Sequence, residues 1–183
     1  MKTSALSSAL AFIGLATAQE VQSQPFNLVI KSQNKELDGR ALSTCHSGAA
    51  IESLCLLPGS KATFHLNTTT GEEPGPGGVS EPPIPSTMTF SIDPSTNVAL
   101  PLFYPGRQNV QYVSFDSNDI LNIVSYLDDT KNPPNGRTPR VLDNWYICKT
   151  YFGYTYTTLA WVLGNANPQN PSCVKVDVKR RFV

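Results

Sequence analysis

Trp145-Tyr146-Ile147-Cys148-Lys149-Thr150-Tyr151 and Thr155-Tyr156-Thr157-Thr158-Leu159-Ala160-Trp161-Val162 decide the fold class. Both runs are dense in aromatic and β-branched residues, which lose rotamer freedom in a helix and pack well on a pleated surface. Each reads as a strand. Working outward, Thr87–Ile92 alternates cleanly, with Met88, Phe90 and Ile92 expected to point inward. Ala62–Asn67 sets Phe64 and Leu66 on one face and His65 and Asn67 on the other. Phe26–Lys31, Tyr112–Phe115 and Leu121–Val124 add shorter strands, and Val174–Val178 opposes three valines to Lys175 and Asp177. The periodicity predicts about eight to eleven strands. Ser47–Leu54 is the one stretch with room for a short helical turn.

The connections are rich in proline. Gly71–Ser86 holds five prolines and four glycines, a composition that predicts an exposed excursion. Asn132–Gly136 and Asn167–Pro171 read as further turns. Short strands separated by turn signals predict an all-β antiparallel sandwich or barrel with long Pro/Gly loops. A β-trefoil is the alternative, because Leu37–Leu42 followed by Phe64 looks like one trefoil unit, although no two further units of matching length follow.

The 183 residues carry 14 basic and 14 acidic side chains, with 40% hydrophobic content. That length suits one domain burying about 70% of its unfolded surface, and the hydrophobic content is too high for a disordered chain. A balanced charge lacks the basic footprint of a nucleic-acid binder and the attraction to an anionic membrane. At the N-terminus, Lys2 precedes an apolar run from Ala5 to Ala16, and Ala16-Thr17-Ala18 fits the small-x-small cleavage rule. Residues 1–18 therefore read as a signal peptide and 19–183 as one secreted domain, extracellular or in a cell wall. All four cysteines lie after the cleavage point, and an even count in an oxidising compartment predicts disulfides. Of the three possible connectivities, Cys45–Cys55 and Cys148–Cys173 close the shortest loops. A zinc site is disfavoured by the lack of Cys-x-x-Cys spacing and by the presence of only two histidines, His46 and His65. Asn67-Thr68-Thr69 is a glycosylation sequon, whereas Asn170-Pro171-Ser172 is blocked by its proline.

No catalytic residue and no cofactor is assigned from sequence. Gly-x-Ser-x-Gly is absent, and Ser47 cannot easily partner His46 from the adjacent position. His65 alternates onto a polar face and reads as solvated. Asp128 and Asp129 are neighbours in a turn, where carboxylates cap backbone amides. Asp116–Asp119 starts like a calcium loop but lacks its glycine and terminal glutamate, so it reads as an Asx turn. Glu52 is tightly restrained inside the Cys45–Cys55 loop. The suggestive feature is aromatic: seven rings fall between Trp145 and Trp161. Flat rings with polar tips stack on sugar faces, and Trp145, Tyr154 and Tyr156 are the ligand-binding candidates, with Tyr154 and Tyr156 the exposed pair.

Cys45-His46-Ser47-Gly48-Ala49-Ala50-Ile51-Glu52-Ser53-Leu54-Cys55, together with Tyr154-x-Tyr156-Thr157-Thr158-Leu159-Ala160-Trp161-Val162 and Pro168-x-Asn170-Pro171-Ser172-Cys173-Val174-Lys175-Val176-Asp177-Val178, resembles a family of small secreted proteins of filamentous ascomycete fungi, a domain of unknown function. The overall layout is similar to fungal cell-wall proteins of the phialide type. The resemblance implies origin and compartment and brings no catalytic residues. The expected function is non-catalytic surface binding, to a cell-wall polysaccharide or a host surface protein. The alternative is a small carboxylate-dependent glycoside hydrolase using Glu52, Asp128 or Asp129.

Overall fold

The computed structural model of the protein describes residues 20–69, 78–80, 86–106 and 109–183. The expected signal segment lies outside them. In chain order the first strands are β1 (Glu20–Gln22), β2 (Phe26–Lys31), β3 (Ser43–Gly48), β4 (Ile51–Cys55) and β5 (His65–Thr69). There follow β6 (Gly78–Ser80), β7 (Ser86–Ile92), β8 (Val98–Pro105), β9 (Val113–Phe115) and β10 (Leu121–Asp128). The last are β11 (Asn135–Leu142), β12 (Trp145–Phe152), β13 (Tyr154–Val162), β14 (Val174–Lys175) and β15 (Asp177–Phe182). The chain is all-β, and its paired strands run antiparallel.

A seven-stranded sheet runs β14-β12-β13-β4-β8-β7, with β3 paired to β4. It curls, because β13 pairs with β4 at Thr158↔Cys55 and then with β8 at Trp161↔Ala99. Against its inner face lie the β15-β2 pair and the β11-β10-β9 sheet. The main core fills the space between them: Phe26, Leu28 and Ile30 from β2 and Leu121 and Ile123 from β10 meet Leu54, Met88, Phe103, Trp145, Leu159 and Trp161 of the curled sheet. Fully burying a side chain of this size contributes roughly 1.5–3 kcal/mol. The pairing order does not repeat in three units, so the sandwich or barrel expectation describes the chain and the trefoil alternative does not.

Strands lie close to where the sequence places them at β2, β7, β12 and β13, while the cleanly alternating Ala62–Asn67 enters a strand only from His65, in β5. Three expectations are corrected. Ser47–Leu54 is not a helical turn but the hairpin between β3 and β4, turned at Ala50 with φ of 56°. Ile92 does not point inward; the last residue of an edge strand, it is 58% exposed. Asn135 and Gly136 are not part of a turn but open β11. Of the Gly71–Ser86 excursion, Gly78–Ser80 forms β6 and pairs with β5, and Ser86 opens β7; residues 71–77 and 81–85 lie outside the described residues.

β8 shows why a strand without alternation forms. Ala99 and Phe103 enter the main core, while Val98, Leu100 and Leu102 join a second apolar cluster on the outer face with Ala160, Val162 and Cys148. A strand covered on both faces needs apolar residues at every position. Pro101 falls between the contact to β13 at Ala99 and the contact to β4 at Leu102, a gap in which a missing amide hydrogen is tolerated. The C-terminal strand is held differently. The Arg180 guanidinium lies 4.3 Å from the Phe115 ring centroid and 4.6 Å from that of Phe182, and its Nε and Nη2 donate to Asp119 Oδ1 at 3.2 and 2.7 Å. A planar cation can stack and donate at once, which an ammonium cannot.

Candidate functional site

Both disulfides form as expected, Cys45–Cys55 and Cys148–Cys173, and no free cysteine remains. The first ties β3 to β4, the hairpin that carries His46 and Glu52 as direct partners. Across this hairpin lies the turn between β12 and β13. Gly153 makes that turn at φ of 67°, and a Cβ there would sit 2.5 Å from the Ser47 carbonyl oxygen. Only glycine allows both the backbone conformation and the approach.

That close contact brings separate parts of the sequence together. The Tyr154 ring lies 6.1 Å from Tyr156 and 5.7 Å from the His46 imidazole, which faces Glu52 with Nδ1 to Oε1 at 4.0 Å. Tyr154 is 51% exposed and His46 is exposed, whereas Tyr156 and Glu52 are half-buried. The surface therefore combines two phenols, an imidazole and a carboxylate. It can stack on an apolar face and exchange hydrogen bonds around its rim. The sequence singled out each of the four but did not join them. The signal was the hairpin itself, since pairing Cys45 with Ser53 places His46 opposite Glu52.

Trp145 does not join this surface. It is 0% exposed, packed against Trp161 at 4.9 Å, and its Nε1 donates to the Leu121 carbonyl at 2.8 Å. It is a core residue because the inner face of β12 is covered at that end by β10. The most exposed ring of the group is Tyr151, at 75%. Tyr151 and Phe152 border an open groove of about 370 Å³, walled also by Asp93, Thr96, Lys149 and Asn170.

The remaining candidates hold the backbone. Asp128 is buried and accepts from the Thr130 hydroxyl and, at 3.1 Å, from the Thr130 amide. Asp129 Oδ2 accepts from the Gly164 amide at 2.7 Å, and Asp116 Oδ1 from the Asn118 and Ile120 amides. These are the caps and Asx turn that the sequence implied. Ser47 is buried, its hydroxyl 2.6 Å from that of Ser53. His65 is not simply solvated, since its Nδ1 meets the Ser23 carbonyl oxygen at 3.1 Å. Asn67 lies within β5, where its Oδ1 accepts from Gln22 Nε2. Among the described residues no three His, Cys, Asp or Glu side chains gather in a metal-holding group.

The Asp128 arrangement predicts a pH effect. The Thr130 hydroxyl, opposed by burial and aided by the Thr130 amide, holds the carboxyl below its ordinary value of 3.8. Its folded pKa is depressed, so its contribution is present above the unfolded value and is lost as pH falls through the folded one. Unfolding followed between pH 5 and pH 2 should show wild type losing stability in this acid window (roughly the range where carboxylates titrate). Asp128→Asn should lose less over the same window; an equal loss would show that Thr130 does not bias the carboxyl.

No curated protein sequence and no solved structure matches the chain. One family does, over nearly its whole length: the chain belongs to the family described as a domain of unknown function (DUF7907), whose family model matches residues 23–182.

Proposed function

We propose that the protein is a secreted, non-catalytic fungal protein of the cell wall or cell surface that binds wall polysaccharide through Tyr154 and Tyr156. The observation that carries this reading is the half-exposed Tyr154 ring set beside a second tyrosine and flanked by His46 and Glu52. Such a surface offers an apolar platform with hydrogen-bonding groups at its edge, the pairing that a sugar ring presents in reverse. The two disulfides and the apolar N-terminal run support a secreted protein, and the resemblance to small ascomycete proteins supports its origin. With charge balanced over the chain, long-range attraction contributes little, and binding should survive moderate salt.

Retention on insoluble chitin, β-glucan and cellulose tests this. Wild type should be retained on at least one polymer, and Tyr154→Ala should weaken retention by about tenfold, the equivalent of one good stacking contact. No retention on any polymer, or retention unchanged in both Tyr154→Ala and Tyr156→Ala, would defeat the platform. Soluble sugar released from any polymer would overturn the non-catalytic reading and make Glu52 the first acid to replace.

A further inference from the structure

The groove lined by Thr150 and Phe152 and the tyrosine surface are parts of one face. In the β12–β13 register Phe152 stands opposite Tyr154, and Thr150 opposite Tyr156. Directly opposed residues on antiparallel strands project to the same side, with Cβ atoms about 4.5–5.5 Å apart, whereas Tyr151 alternates to the other face of β12. Polar and aromatic groups therefore follow one another along this face: Asp93 and Thr150 at the groove, then Phe152, then Tyr154, then His46 and Glu52. Neighbouring strands are spaced about 4.8 Å apart, so this row is longer than a single sugar ring.

The ring orientations constrain what can lie on it. Tyr154 and Tyr156 are inclined to each other by 41°, and His46 and Tyr154 by 54°. A crystalline polysaccharide face is flat and needs coplanar rings to rest on. Inclined rings instead follow a chain that is free to twist. The charges along the row are few and mixed: Asp93 and Glu52 are acidic and Lys149 is basic. This suits an uncharged, hydroxyl-rich chain better than a polyanion or a polycation.

We propose that the site takes a single neutral polysaccharide chain, laid across β12 and β13 from the groove beside Phe152 to His46 and Glu52, and binds several sugar units of a free chain rather than a crystalline face. The proposal rests on the polysaccharide-binding reading above. It makes Thr150 and Phe152 part of the same site as Tyr154.

Titration with soluble cello- and chito-oligosaccharides, from the disaccharide to the hexasaccharide, tests the length of the site, and retention on swollen against crystalline cellulose and chitin tests its shape. Affinity for the preferred series should rise by at least about tenfold from the shortest to the longest member. Phe152→Ala should weaken the longest member by about tenfold and the shortest less. Phe152 is half-buried against the outer apolar cluster, so Phe152→Leu, which keeps apolar bulk there, should show the same loss at an unchanged unfolding midpoint; Phe152→Tyr should retain the wild-type preference for length. Swollen polymer should retain the protein and crystalline polymer should not. If affinity is flat with length and Phe152→Leu is silent while Tyr154→Ala still abolishes retention, the extended site is wrong and the tyrosine platform stands. Equal retention on crystalline polymer overturns the single-chain inference in the same way. If no polymer and no oligosaccharide binds, both readings fall.

Discussion

Replacing Trp145 by alanine is expected to lower stability by about 3–5 kcal/mol, the range for removing a large aromatic from a core. The side chain has no exposed surface, meets Trp161 edge to face at 4.9 Å and Phe90 at 6.1 Å, and donates from Nε1 to the Leu121 carbonyl. Alanine removes the apolar contacts, opens a cavity between the curled sheet and β10, and strips that carbonyl of a partner. Trp145→Phe separates these contributions. It keeps much of the ring volume but not the N–H, and should cost about 1–3 kcal/mol, as for a buried polar group left unpaired. Urea unfolding of the three proteins provides the measurement. The same variants decide between the two roles open to Trp145 on sequence grounds. A ligand-stacking tryptophan would lose polysaccharide binding at unchanged stability; the core residue seen here should shift the unfolding midpoint strongly. A midpoint within error of wild type for Trp145→Ala would show that the residue is not packed as described.

Trp145 also shows how far alternation can be read. Trp145, Ile147, Lys149 and Tyr151 occupy the same face of β12, yet Trp145 is fully buried and Tyr151 is the most exposed ring of the cluster. Alternation tells which residues share a face. It does not tell how far along the strand the opposing layer extends, and here that layer ends before Lys149. The strands that were hard to read failed for three different reasons. β8 lacks alternation because both of its faces are covered. β3 and β4 are short and rich in small polar residues, and β4 is held by a neighbour distant in sequence, β8. β11 reads Asn-Gly-Arg-Thr-Pro-Arg-Val-Leu, with turn residues at its start and an exposed Val141 near its end, and is held by its partner β10.

The acids were more legible than the strands around them. Asp116 and Asp128 bond amides two to four residues away, and such short-range capping is written in local sequence; Asp129, which reaches Gly164, is not legible that way. The grouping of His46 with Tyr154 was not legible. It depends on Gly153 lying against Ser47, a contact between residues more than a hundred positions apart.

The second large effect belongs to the Cys148–Cys173 bond. It closes a loop with a sequence separation of 25, against 10 for Cys45–Cys55. On the loop-entropy account these separations correspond to about 3.5 and about 2.7 kcal/mol. The real gap should be wider. β3 and β4 are joined by a tight hairpin and remain neighbours without their bridge, whereas the segment before β14 contains no strand of its own. Cys148 is also fully buried among Ala160, Val162 and Leu102. The double variant Cys148→Ala/Cys173→Ala should therefore lose about 3–4 kcal/mol, and Cys45→Ala/Cys55→Ala distinctly less. Chemical unfolding of each reads the difference, and peptide mapping without reduction should recover the two native pairs; a Cys45–Cys148 cross-linked peptide would sink the framework. The larger loss should reach the groove as well. Beside Cys173, the Ser172 hydroxyl accepts from the Lys149 amide at 2.8 Å, and Asn170 Nδ2 donates to the Lys149 carbonyl at 2.9 Å. These bonds set the groove wall against β12. With the bridge removed, exposed hydrogen bonds to Lys149 and to Asn97 must hold that wall, at about 1 kcal/mol each. Binding of the longest oligosaccharide should weaken in this variant before the protein unfolds, while Cys45→Ala/Cys55→Ala should leave the groove end of the site intact.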